Sequence, residues 1–302
     1  MGMTYEKLLE QTALEDDRFV VMTAENRALV RNLPQSLGNR FIDTGITEQT
    51  MIGAAAGLAL RGRKPVVHAL SAFLTMRAFE FTRTSVGIAN LPVKYSSFIP
   101  GVLSDGNGPT HQALEDVSIM RGIPGMEVFA PADEEDLVEM LPYIWATENP
   151  SYVRINTKPS IIAHKPYEFG KAEMIFEGSD FTMLTYGFML ENCIKAHQLL
   201  SDMGYKVGLV NMRNLKPFDG DLIKSILPKT GRFITVEDHF LTGGLFSILA
   251  EFLVKNELHI PVSAIAFEEK WFRPGTLQDV LACEGLTPEK LVERIEKFIQ
   301  NA

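Results

Sequence analysis

The chain has 302 residues, is 46% hydrophobic and 22% charged, and carries a formal net charge of −9. That composition is ordinary for a globular protein and the length suits about two domains of roughly 100–200 residues each. The acidic balance argues against a nucleic-acid surface, no apolar run reaches the roughly 18 residues that span a bilayer, and no basic flank with an apolar core opens the chain, so a cytoplasmic protein is expected.

The first half alternates short apolar runs with helical segments. Strands are expected at 19–22, 40–43, 65–70, 93–99, 126–130 and 152–155, each rich in branched or aromatic residues and bounded by Gly, Pro or Asn. Helices are expected between them at about 24–36, 48–62, 74–89, 111–122 and 133–147. Continuous apolar strands separated by helices imply a parallel sheet covered on both faces. A polar, proline-containing stretch follows, with the linker placed at 161–175. A second set then begins, with strands at 181–185, 207–210, 233–236 and 262–266 and helices at about 189–203, 219–227, 243–256 and 288–299. The expected fold class is therefore α/β, two consecutive α/β domains with mainly parallel sheets, at 1–160 and 176–302. Cys193 and Cys283 have no metal-ligand spacing and read as buried thiols rather than a disulfide.

Ligands of parallel sheets sit at the carboxyl ends of the strands. Glu48 follows the second strand, Phe73 the third and His111 the fourth. Thr47 is a candidate N-cap, which puts Glu48 in a first helical turn, where the dipole favours a carboxylate and apolar burial opposes it. Taken alone, such a glutamate more often serves only the helix end. His111 follows the loop Gly106-Asn107-Gly108-Pro109-Thr110 and is expected to open a helix, whose N-terminus would keep its imidazole neutral.

A wider pattern frames these residues. Gly-Ile-Thr-Glu-Gln (45–49), Gly-Leu-Ala-Leu-Arg-Gly-Arg-Lys-Pro (57–65), Ala-Phe-Leu (72–74), Arg-Ala-Phe-Glu (77–80), Asn-Leu-Pro-Val (90–93), Gly-Pro-Thr-His-Gln (108–112), Arg-Gly-Ile-Pro-Gly-Met (121–126) and Pro-Ala-Asp (131–133) occur in order. Leu215-Lys216-Pro217-Phe218-Asp219, Val236-Glu237-Asp238-His239 and Gly243-Gly244-Leu245 follow. Together they resemble the transketolase family, in its pyrimidine-binding and C-terminal domains, over nearly the whole chain.

The resemblance implies thiamine diphosphate as cofactor. In that family a glutamate matching Glu48 hydrogen-bonds a ring nitrogen of the aminopyrimidine and favours the tautomer that removes the thiazolium proton. Phe73 matches the aromatic residue stacked on that ring, and Phe79 and Ile46 join the implied cofactor-binding set. His111, Asn107, Arg77 and Arg154 match substrate-facing positions, with His111 also implied as catalytic near the substrate carbonyl. Some positions depart from the pattern. Asn107 stands where an aspartate is usual, Ile99 where a phosphate-contacting histidine is usual, Met76 where a further aromatic is usual, and Glu25 adds acid to the first βα loop. Glu237 and His239 look functional by residue type, but in the family their domain mainly builds the dimer interface.

The family's metal signature, Gly-Asp-Gly followed some 25–30 residues later by Asn, has no counterpart; Gly220-Asp221-Leu222 and Ser104-Asp105-Gly106 do not fit it. The resemblance thus implies half an enzyme. A separate N-terminal subunit would bring the diphosphate and its Mg2+ or Ca2+, in an α2β2 assembly that shares the cofactor. A split transketolase subunit moving a two-carbon ketol unit between sugars or sugar phosphates is the leading expectation. Alternatives are a subunit of a deoxyxylulose-phosphate-synthase-like enzyme, the beta subunit of a 2-oxo-acid dehydrogenase first component, which lacks Gly-Pro-Thr-His-Gln, or a catalytically silent assembly subunit.

Overall fold

Runs of Val, Ile, Phe and Met that lack polar alternation must be covered on both sides. The chain, in a computed structural model that describes residues 2–104, 106–271 and 273–300, buries them in two sheets. The first half contains α1 (Tyr5–Glu15), β1 (Phe19–Thr23), α2 (Leu33–Leu37), β2 (Phe41–Asp43), α3 (Glu48–Leu60), β3 (Lys64–Leu70), α4 (Phe79–Phe81), β4 (Lys94–Phe98), α5 (Asp116–Arg121), β5 (Glu127–Phe129), α6 (Glu134–Ala146) and β6 (Ser151–Ile155). The second contains β7 (Glu173–Phe176), β8 (Phe181–Thr185), α7 (Met189–Asp202), β9 (Val207–Asn211), β10 (Asn214–Lys216), α8 (Gly220–Ile226), β11 (Phe233–Phe240), α9 (Leu245–Lys255), β12 (Val262–Phe267), α10 (Leu277–Cys283) and α11 (Pro288–Gln300).

Among the described residues the first sheet runs β10-β5-β6-β4-β3-β1-β2 and the second β12-β11-β8-β9-β7. All pairings are parallel except two at the edges, β10 against β5 and β7 against β9. Every residue of β1, β6, β8 and β9 is buried, as continuous apolar runs require. From β1 the chain turns outward to β2 and then back across to β3 on the other side. That reversal is the switch point of the sheet, and a crevice opens outside the strand ends there.

Several local expectations are corrected. The helix expected at 24–36 is a loop followed by α2 only, because Glu25 is left-handed at φ +70° and Pro34 fits only the first helical turn. The helix expected at 111–122 begins at Asp116; Gly106 and Gly108 at φ +73° and +71° fold the preceding loop, and the N–H groups of His111 and Gln112 turn back to the Gly108 carbonyl. The helical character expected at 74–89 is present but underwound, with wider π-helical turns at Phe73–Arg77 and Thr82–Gly87 flanking α4. The expected linker at 161–175 ends in strand, since β7 begins at Glu173. α1, α10, β7 and β10 are additional elements.

The two halves share one interior. A single hydrophobic cluster runs from Val20 and Tyr95 on the first sheet and Ile52 on α3 to Tyr186, Met212 and Leu249 of the second half. β10 belongs to the first sheet although the chain reaches it only after β9. Lys216, at its end, donates from Nζ to the Arg121 and Ile123 carbonyls.

Candidate active site

Four loops converge at the switch point. They follow β1 (Ala24–Arg31), β2 (Ile46 and Glu48), β3 (Phe73 and Arg77) and β4 (Thr110 and His111), and with the ends of β3 they line an open cleft of about 690 Å³. A volume of that size suits a ligand of cofactor dimensions.

Glu48 is the first residue of α3, and its side chain is buried at the base of the cleft. Thr47 occupies the N-cap position but does not cap; its hydroxyl donates instead to the Thr44 carbonyl at 2.8 Å. The carboxylate therefore has the helix dipole behind it and faces the cleft, where both oxygens accept from Arg77 Nη1 at 3.1 Å. Small residues make this possible: Ala55, Ala56 and Ala59 let α3 lie close against the sheet.

Phe73 stands on the opposite wall. The Arg77 guanidinium lies over its ring, 3.8 Å from the centroid, and His111 meets it edge-on at 5.2 Å. The His111 Nδ1 is 2.9 Å from the Thr110 hydroxyl. Its Nε2 has no hydrogen-bond partner among the described residues. Ile46 is an exposed apolar side chain on the rim, 67% accessible.

The wall across from Phe73 is the β1 loop. Arg27 clamps Asp43 through Nε and Nη2 at 2.8 and 2.6 Å, and the Glu25 and Gly45 N–H groups donate to the same carboxylate. Burial would raise the Asp43 pKa, but the hydrogen bonds from Gly45, Arg27 and Glu25 outweigh it and hold it below the ordinary value. Arg31 also lines the cleft and has no ion-pair partner among the described residues. Neither arginine is among the residues expected from the sequence; Glu25 in the first βα loop was the available signal.

Three residues implied by the resemblance lie elsewhere. Arg154 is a correction: it is buried, its Nε donates to Asp116 at 2.9 Å and its two terminal nitrogens to Asp238 at 2.9 and 3.1 Å. Burial opposes its charge, yet Asp116 and Asp238 overcome that and raise its pKa. Held by two buried acids and away from the cleft lining, the guanidinium joins α5 to β11. Phe79 is also corrected, since it packs on the hydrophobic interior rather than lining the cleft. Asn107 is exposed, its amide donating to Ser104 at 3.2 Å, away from the cleft lining. Asp105 lies outside the described residues.

The second-half acids are structural in their contacts. Glu237 accepts from the Leu245 and Phe246 N–H groups at the start of α9 and from Tyr186; burial pushes its pKa to about 7. His239 accepts at Nε2 from the Ser118 N–H and donates from Nδ1 to the Phe240 carbonyl, and burial lowers its pKa to about 4. Asp136, His164 and Glu173 bring ligand-type atoms within 4.8 Å of one another. Arg213 already fills that space, 3.0 Å from Asp136 and 2.7 Å from Glu173, and both His164 nitrogens are occupied by Glu173 and Asp133 at 2.8 Å. The cluster is a closed ion network between α6, the linker and β7.

The close packing of the glycine-rich loop explains two glycines. A Cβ on Gly101 would sit 1.6 Å from the Asp238 carboxylate, and one on Gly108 would sit 2.6 Å from Pro274, both at positive φ.

Known proteins share this arrangement along the chain. The family model "Transketolase, pyrimidine binding domain" matches residues 1–159 and "Transketolase, C-terminal domain" matches residues 170–291. The chain is 35% identical to the 6-deoxy-6-sulfo-D-fructose transketolase subunit SqwH of Clostridium sp. (strain MSTE9), covering 99% of this chain and 94% of that one. It is 33% identical to the 1-deoxy-D-xylulose-5-phosphate synthase of Prochlorococcus marinus (strain NATL2A), covering 99% of this chain but 48% of the synthase. A solved structure described as a split gene transketolase, inactive beta4 tetramer, superposes with a TM-score of 0.86 at 30% identity, over 97% of this chain and 95% of that one. With two successive family models matched and a relative followed almost from end to end, the chain belongs to the transketolase family, in its pyrimidine-binding and C-terminal domains.

Proposed function

We propose that this chain is the C-terminal (β) subunit of a split thiamine-diphosphate-dependent transketolase that moves a two-carbon ketol unit from a ketose donor to an aldose acceptor. The observation that carries the reading is the buried Glu48 carboxylate facing the aromatic wall of Phe73, with His111 beside it, in one cleft at the switch point. These residues fit the pyrimidine end of the cofactor: a flat ring needs an aromatic face and a carboxylate that accepts from its nitrogen. When bound, thiamine diphosphate would supply the nucleophilic carbon that takes up and hands on the two-carbon unit. Glu48 holds a proton at the pyrimidine ring nitrogen. Phe73 fixes the ring plane. His111, through its free Nε2, hydrogen-bonds the substrate carbonyl or hydroxyl oxygens.

The diphosphate and its Mg2+ or Ca2+ belong to a separate N-terminal subunit in an α2β2 assembly in the cytoplasm. Two relatives support the division: one is named as a transketolase subunit, and another, a split gene transketolase, is inactive as a β4 tetramer. The exposed Ile46 on the rim supports a surface that a second chain or the rest of the cofactor covers.

The test is reconstitution with a diphosphate-domain subunit, followed by a screen of ketose donors against aldose acceptors. Ketol transfer is the expected result. Condensation of a 2-oxo acid with an aldose phosphate would select a synthase instead, and carbon dioxide release from a 2-oxo acid without ketol transfer would reject the proposal.

A further inference from the structure

Arg77 does something in the cleft that the proposed function does not require. Its guanidinium is a flat cationic plate 3.8 Å above the Phe73 ring, and its Nη1 donates to both oxygens of Glu48 at 3.1 Å. Those are the two features an aminopyrimidine ring would use, an aromatic face and an N–H donor to the buried carboxylate. The arginine and the ring cannot occupy the same space. The π-helical turn Phe73–Arg77, closed by the Ala78 N–H to the Phe73 carbonyl at 3.1 Å, sets the two side chains on one wall.

We propose that Arg77 is a built-in stand-in for the cofactor's aminopyrimidine, paired with Glu48 in the unliganded chain and displaced when the ring binds. The inference rests on the proposed role of Glu48. A buried carboxylate without a partner is costly, so an empty site needs a temporary cation. The two side chains are unequal: the Glu48 side chain is 2% exposed and that of Arg77 is 40% exposed. The carboxylate is fixed and the arginine is free to swing to solvent. Planarity also matters, since lysine would supply the charge but not the stacked plate. The ring must therefore break an existing charge-assisted contact, and affinity for it is lower than the bare site would give.

The probe is free 4-amino-5-hydroxymethyl-2-methylpyrimidine, titrated into the full-length chain and followed by ligand-observed NMR, so that no activity is needed. Arg77→Met, which keeps much of the side-chain bulk, should bind the probe about tenfold more tightly than wild type. Arg77→Lys should fall between them and serves as the second variant should Arg77→Met fold poorly. In a Glu48→Gln background the gain from Arg77→Met should vanish, because the arginine then has nothing to guard. If Glu48→Gln weakens binding but Arg77→Met and Arg77→Lys bind no more tightly than wild type, the role of Glu48 stands and the stand-in is overturned. Binding of the probe to none of these chains would overturn both.

Discussion

Replacing Arg154 by methionine removes the only cation facing Asp116 and Asp238 among the described residues and strands two buried carboxylates between α5 and β11. Breaking a buried pair by deleting one partner costs about 3–5 kcal/mol. Unfolding entropy of roughly 2.1 cal/mol/K per residue over the 302 residues makes each kcal/mol worth about 1.6 °C if the chain melts as one unit, so Tm should fall by roughly 5–8 °C. The shared hydrophobic cluster gives reason to expect a single transition. Circular dichroism melts of the isolated chain measure this directly. Adding Asp238→Asn should restore about 1–2 kcal/mol, since it removes one stranded charge. The loss from Arg154→Met should also deepen as pH rises, because the native state must then bury ionised carboxylates. An Arg154→Met chain within about 1 kcal/mol of wild type, with a selective loss of affinity for phosphorylated sugars after reconstitution, would refute the structural role and return Arg154 to the substrate.

His164 supplies a pH test. Burial would lower its pKa, but the Asp133 and Glu173 carboxylates at 2.8 Å raise it to about 10. Its stabilisation is therefore complete below the unfolded value near 6.5 and is lost as pH climbs toward 10. Urea denaturation at pH 6 and pH 9.5 should show wild type weakening across that span and His164→Gln weakening less; equal slopes would contradict the network. Gly101→Ala should destabilise by more than about 2 kcal/mol, because its φ is +58° and its Cβ would collide with Asp238. A neutral effect in chemical denaturation would show that the loop is not held against β11.

Most of the scaffold was legible because continuous apolar strands announce themselves: β1, β3, β8, β9 and β11 fall on runs that could not be exposed. β10 and β7 did not, because strands of three and four residues at antiparallel edges carry no readable period. The cleft was partly legible for a topological reason. Glu48, Phe73 and His111 each follow a strand in the same sheet, and ends of parallel strands meet. Arg154 misled because its partners are distant in sequence, 38 positions away for Asp116 and 84 for Asp238. Nothing in the local pattern separates a substrate arginine from one closed by two buried acids. Arg77 was flagged as facing the site, but its pairing with Glu48 depends on a π-helical turn that hydrophobic spacing does not distinguish from an α-helix.

The central claim is that Glu48 holds the proton that makes the cofactor reactive, in a site completed by another chain. The most direct measurement is steady-state ketol transfer by the reconstituted assembly carrying Glu48→Gln, with thiamine diphosphate binding followed in parallel. The expected result is a folded, assembled complex whose kcat falls by several orders of magnitude, since the amide cannot take up and return the ring proton as the carboxylate does. A Glu48→Gln complex that turns over at the wild-type rate would contradict it.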